Sequence, residues 1–257
     1  MTRKLTRRAA LGGLGAGGLM LAGCDKLTAD PNFLKMLESV EKLNRGGQRL
    51  VLTSEAPLAR EYQPSDITRN FKANGTVRPT AEEYQRLLLT EFSDWKLKIE
   101  GLVKNPFELS LGEIRALPSR TQITRHDCVE GWSAIGQWKG APLSNLLERA
   151  GLMDNARYIV FHCADNLTNS ADESGVYYES IDLVDAFHPQ TIMAYEMNGE
   201  TLPIGHGAPL RMRIERQLGY KMAKYVMRIE AVESFAKMGA GKGGFWEDRG
   251  YEWYAGI

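Results

Sequence analysis

Arg125-His126-Asp127-Cys128-Val129-Glu130-Gly131-Trp132 sets one thiol among titratable side chains, a glycine and an indole. Were residues 128–130 extended, Cys128 and Glu130 would point to the same side, so that thiol and carboxylate would face one site. A thiolate suits a soft metal centre, and coordination keeps it deprotonated. Arg125 and His126 would favour the anion electrostatically. On spacing alone, a structural cysteine remains the competing reading.

Beyond Cys128, short apolar stretches at 157–163, 176–181, 191–197, 209–214 and 225–233 read as strands, with brief helices near 143–150 and 182–187. Upstream, Thr80-Ala81-Glu82-Glu83 and Ser110-Leu111-Gly112-Glu113 have capping-box form and predict helix starts. Trp95, Leu97 and Ile99 alternate as in a strand, and Asn198-Gly199 predicts a tight turn. The pattern predicts an α+β fold with a mixed β-sheet and short helices. The aromatic tail, Phe245-Trp246 to Trp253-Tyr254, is costly to leave in water and is expected to pack back onto the domain.

A second constellation comprises His206-Gly207-Ala208-Pro209-Leu210-Arg211 and Gly219-Tyr220-Lys221-Met222-Ala223-Lys224-Tyr225. Basic side chains with glycine-permitted backbone approach suit an anionic, phosphate-bearing cofactor. A solvated basic face on a strand is the alternative.

Lys plus Arg equals Asp plus Glu at 32 each, so charge suggests no nucleic-acid partner. The chain is long enough for one large domain with extensions. Residues 1–24 are basic and then apolar and Gly-rich, as in an export signal. Thr6-Arg7-Arg8-Ala9-Ala10-Leu11 resembles the twin-arginine signal, used by proteins that cross the membrane already folded. Leu21-Ala22-Gly23-Cys24 resembles a lipobox, in which Cys24 would carry a lipid anchor and Asp25 would favour the inner membrane. Cleavage without an anchor is the alternative. Residues 25–65 read as a helical extension and linker, the helix opening at Asp30-Pro31 and stopping at Gly46-Gly47 and the basic linker running on to about Pro79. Residues 66–257 form the main domain. Cys163 lies in a buried-strand pattern, which argues against a disulfide with Cys128. No Cys-x-x-Cys-His occurs, so covalent c-type haem is not expected.

In order and spacing these segments resemble the sulfite oxidase family of molybdenum-molybdopterin oxidoreductases. Cys128 to Trp132, continuing through Trp138-Lys139-Gly140-Ala141-Pro142-Leu143, is similar to the metal-ligand segment of the periplasmic methionine-sulfoxide reductase branch. Ala194 to Pro203, then His206 to Arg211, is similar to the sulfite oxidase branch. Gly219 to Tyr225 resembles the cofactor-binding Gly-x-Arg-x-x-Lys-Trp segment of both, with Lys221 for Arg and Tyr225 for Trp. The resemblance implies a sulfite-oxidase-type fold and makes Cys128 the thiolate ligand of molybdenum. One molybdopterin dithiolene and oxo or hydroxo groups complete that metal's shell. It implies that His206, Arg211, Lys221 and Lys224 hold the pterin and its phosphate. Asn70, before Phe71, resembles an Asn-Phe pair near the cofactor, and Glu130 becomes an acid/base or substrate-positioning group.

The chain departs from the reductase branch at Arg216-Gln217-Leu218-Gly219, where an aromatic hydroxyl is missing. It departs from the sulfite oxidase branch at Val129-Glu130-Gly131, where a carboxylate near the metal would repel sulfite. The implied reaction is periplasmic oxygen-atom transfer, in the reductive direction, on an S-oxide or N-oxide. Electrons would come from a separate redox partner, such as a membrane b-type cytochrome, since no haem or iron–sulfur ligand set is evident. The alternatives are sulfite-type oxidation, a ligand-binding lipoprotein without turnover, and thiol redox chemistry between Cys128 and Cys163.

Overall fold

The computed structural model describes residues 32, 58–168 and 175–257. The signal-like segment and Cys24 lie outside the described residues. Of the helix expected to open at Asp30-Pro31, only Asn32 falls within them, and it is helical and exposed. The main compact unit runs from Leu58 to Ile257. It therefore begins earlier than the expected boundary at residue 66. The extra residues are tied down, with Tyr62 N donating to Ile123 O at 2.9 Å and Ala59 N to the Gln190 side chain at 2.7 Å.

The elements are α1 (Glu82–Leu89), β1 (Lys96–Gly101), β2 (Phe107–Ser110), α2 (Leu111–Ala116), β3 (Arg120–Cys128), β4 (Trp132–Pro142) and α3 (Leu143–Ala150). There follow β5 (Tyr158–Asn166), β6 (Val176–Asp182), α4 (Leu183–Ala186), β7 (Ile192–Met197), β8 (Glu200–Thr201), β9 (Arg211–Arg213) and β10 (Val226–Val232). One sheet has the order β2-β1-β10-β5-β6, with β1 and β10 parallel and the other neighbours antiparallel. The second, antiparallel throughout, runs β3-β4-β7-β8, with β9 also on β7. This is the expected α+β fold with a mixed sheet and short helices. Among the described residues no helix is long and apolar enough to cross a membrane.

Alternation builds the core. Leu97 and Ile99 of β1, Ile159 and Phe161 of β5, and Ile229 of β10 turn inward. Helix α3 adds Leu143, Leu146, Leu147 and Ala150, a stripe at helical spacing. A smaller cluster joins Trp138 to Ile192, Ala194, Met197 and Leu202, with half-buried Phe71 against it. The expected cap at Ser110 forms in both directions, Glu113 N donating to Ser110 Oγ at 3.3 Å and Ser110 N to Glu113 Oε2 at 2.8 Å. The box expected at Thr80 does not form. The N-cap there is Ala81, which moves Glu83 to the second helical position, out of reach of a reciprocal bond.

Candidate active site

Strands β3 and β4 form a hairpin, and Cys128 is the last residue of β3, paired with Trp132. Gly131 closes the turn, its N–H bonded to Cys128 O at 3.0 Å and its φ at 86°, a conformation costly for other residues. Val129 and Glu130 thus turn away from the strand that ends at Cys128, which corrects the expected side-by-side thiol and carboxylate. Glu130 instead leans to the rim. It accepts from Trp132 Nε1 at 2.9 Å and pairs with Lys72 Nζ at 3.3 Å, and these two groups hold its carboxyl below the ordinary range. Cys128 and Glu130 still line one cleft together, with Asp165, Met222, Lys224 and the 74–76 backbone segment.

Burial pushes the Cys128 thiol above its ordinary value; the Glu130 backbone N–H opposes that shift, and the Glu130 carboxylate adds a smaller push upward. The electrostatic help expected from Arg125 and His126 does not materialise. Arg125 is spent on Asp127, at 2.9 Å, and His126 is buried and neutral. A cation placed at the sulfur would favour the thiolate.

Behind Cys128 lies a buried basic cluster. Arg213 Nη1 sits 3.1 Å from His126 Nδ1, which assigns the ring proton to Nε2, an atom with no partner. A Cβ at Gly219 would collide with this imidazole, so only glycine lets the 219–221 turn close on it. Arg211 bonds His206 O at 3.0 Å and lies over the Trp138 ring at 4.9 Å, with its Nε unpartnered. His206 presents a buried, unpartnered Nδ1. Burial, then Arg211, drives the His206 pKa down to about 4, while burial, then Arg213, brings Arg211 down to about 9. Lys224 Nζ donates to Asn74 O at 2.7 Å, to Gly205 O at 3.1 Å and to Thr76 O. Burial and Arg211 push its ammonium below the ordinary range. Glu215, at 2.7 Å from Arg213 Nη2, and Asp165 are the carboxylates facing this group.

The structure brings Cys128, Glu130 and Lys224 to one cleft and sets His206 and Arg211 in the basic cluster behind it. Asn70 is exposed, and the neighbouring Phe71 ring packs against His126, Trp132, Trp138 and His206. Lys221, expected to meet the pterin phosphate, lies apart from the cleft. Its ammonium is fully buried between Glu179 and Glu247, at 2.5 Å from each, and does not line the cleft. Two features were missed in the sequence. Asp165 is 3% exposed, with an unpartnered Oδ1, and burial raises its pKa. The 74–76 segment was passed over as linker, although Asn74-Gly75 is itself a turn signal. Cys128 and Cys163 are both free thiols.

Residues 85–238 match the model of the oxidoreductase molybdopterin binding domain. The chain belongs to this family. It is 36% identical over 252 residues to the protein named "Putative protein-methionine-sulfoxide reductase subunit YedZ1" of Azospira oryzae, covering 98% of this chain and 86% of that one. It is 32% identical over 179 residues to the protein-methionine-sulfoxide reductase catalytic subunit MsrP of Xanthomonas campestris, covering 65% of this chain and 54% of that protein. The match thus spans about half the length of MsrP. Among solved structures it aligns with the sulfane dehydrogenase SoxCD of Paracoccus pantotrophus at 22% identity and a TM-score of 0.48, over 55% of this chain and 39% of that one. The motif resemblance therefore holds at the level of family, and the chain is a molybdopterin-dependent oxidoreductase. The cleft suits such a group. Buried donors without partners and cations depressed by one another are what an anionic, phosphate-bearing cofactor would satisfy.

Proposed function

We propose that this molybdopterin oxidoreductase reduces an S-oxide in the periplasm, with Cys128 as the protein ligand of its molybdenum. The observation that carries this reading is that Cys128 opens onto a cleft backed by a buried, anion-deficient basic cluster. Lys224, Arg211 and His206 would hold the phosphate-bearing arm. Asp165 would accept from the N–H edge of the pterin, which gives its buried oxygen a partner. Among the described residues no cluster of three His, Cys, Asp or Glu is arranged to hold a metal, which fits one that arrives on its cofactor.

When bound, the group supplies the two-electron chemistry of oxygen-atom transfer. Reducing an S-oxide to a thioether also consumes two protons and releases water. Glu130 is held ionised at the rim, so at neutral pH it positions water or substrate and is not a standing acid. Its negative charge disfavours sulfite, and the similarity to sulfoxide reductases favours an S-oxide over an N-oxide. Electrons would come from a separate membrane b-type cytochrome. Residues 1–24 would direct export by the twin-arginine route, and Cys24 would be the lipid attachment point.

Metal and pterin analysis of protein from a host that makes the cofactor should find about one molybdenum and one pterin per chain. Dye-coupled reduction of a dialkyl sulfoxide should follow, and Cys128→Ala should keep pterin while turnover drops to background. Turnover retained in that variant would falsify the assignment.

A further inference from the structure

The C-terminal segment contributes a wall to the cleft. Trp246 and Tyr251 both line it, and their rings stack at 5.3 Å and 26°. Tyr251 N donates to Trp246 O at 3.0 Å, which fixes the two residues relative to each other. The wall is anchored from beneath, because Glu247, next to Trp246, is fully buried against Lys221. Phe245 is bonded through its N–H to Tyr178 O at 3.0 Å.

Burial grades along the cleft. Asp165 and Met222 are 3% and 2% exposed at the floor, while Val129 and Tyr251 are 46% and 38% exposed at the mouth. The charges at the mouth, Lys72 and Glu130, are already paired with each other. What an entering molecule meets first is therefore aromatic and aliphatic surface, which is costly to keep in water without an occupant. Two stacked rings offer a flat π-face to a hydrocarbon arm and to the electropositive sulfur of a sulfoxide.

Resting on the S-oxide reading, we propose that Trp246 and Tyr251 form a substrate subsite that packs the alkyl arm of a neutral dialkyl sulfoxide while its S–O group turns inward. The pair selects substrates with a hydrocarbon arm longer than methyl.

The test compares dimethyl sulfoxide with n-butyl methyl sulfoxide on the cofactor-loaded protein, alongside saturation-transfer NMR of the butyl compound. In Trp246→Leu and in Tyr251→Ala, the latter at an exposed site that leaves the core intact, KM for the butyl compound should rise about tenfold. Dimethyl sulfoxide KM, kcat and pterin content should stay within about twofold, since its methyl groups reach little of the wall. The NMR transfer to the butyl chain should fall in both variants. Equal effects on both substrates, or none, would overturn the subsite while leaving S-oxide reduction standing. If the wild type reduces no sulfoxide yet shows butyl transfer that the variants lose, the S-oxide reading falls and the subsite stands. Absence of transfer in the wild type overturns the subsite.

Discussion

Asp165 is a carboxylate held without a full partner, because the nearby Lys224 ammonium is engaged with backbone carbonyls. Its folded pKa is raised from 3.8 to about 7 by burial, so the folded state keeps a proton that the unfolded chain has lost. Stability from this group is therefore intact at low pH and is lost as pH rises from about 4 through about 7. Apo-protein carrying Asp165→Asn should be more stable than wild type by about 1–3 kcal/mol at pH 8. That advantage should vanish near pH 4 in denaturant titrations. The same variant should retain less pterin, because the amide replaces one acceptor with a donor, and fluorescence of released pterin reads that loss. A stability difference independent of pH would sink the account. At this scale, Cys128 and the cations of the 206–224 region were legible because their chemistry is written in short motifs. Asp165 was not, since what marks it is burial, and burial is a tertiary property. The surroundings of Lys221 were hidden for the same reason. The residue matches a motif position, but Glu179 and Glu247, 42 and 26 residues away, reach it only in the fold.

Elements were legible where hydrophobic periodicity is strong. α3 occupies the predicted 143–150 span, and β5, β6, β7 and β10 fall within the apolar stretches to within a few residues. The β3–β4 hairpin escaped notice because β3 runs against the rule: its buried positions are Gln122, Thr124 and His126. Those side chains face Arg213 and Glu215 and not an apolar core. Gln122 Nε2 bonds Glu215 Oε1 at 2.8 Å, and His126 meets Arg213. A strand that buries polar groups breaks the local pattern where the site requires it. The C-terminal segment depends on another polar contact, in which one Lys221 ammonium offsets two buried carboxylates. Lys221→Met should cost about 3–5 kcal/mol, because it leaves Glu179 and Glu247 facing each other without a cation. Adding Glu179→Gln and Glu247→Gln should recover most of that loss. Chemical denaturation of the single and triple variants decides it, and a single variant as stable as wild type would show that the Lys221 ammonium is not what stabilises this buried group.

At the scale of the whole molecule, two sheets, the 58–76 segment and the C-terminal segment converge on a region that is apolar in packing yet carries buried Arg211, Arg213 and Lys224. Glu215 balances Arg213, while burial and then Arg213 depress Arg211, and burial and then Arg211 depress Lys224. The apo fold therefore carries a desolvation cost that an anionic ligand would relieve. A ligand that binds only the folded state stabilises it by about 2.7 kcal/mol at a hundredfold excess over Kd. For a domain of this size that corresponds to a rise of about 5 °C or more in thermal midpoint. Cofactor-loaded protein should melt above the apo form by at least that margin. Lys224→Met should shrink the gap, since it removes both a cation and the bonds that hold the 74–76 segment at the cleft. Cys128→Ala should keep most of the gap, because the pterin arm, not the thiolate, meets the basic cluster. Calorimetry of the three proteins, each apo and loaded and each with measured pterin content, separates these contributions. Coincident apo and loaded midpoints would mean that the basic cluster is balanced by the protein alone, and the assignment of Lys224, Arg211 and His206 to the phosphate-bearing arm would fall with it.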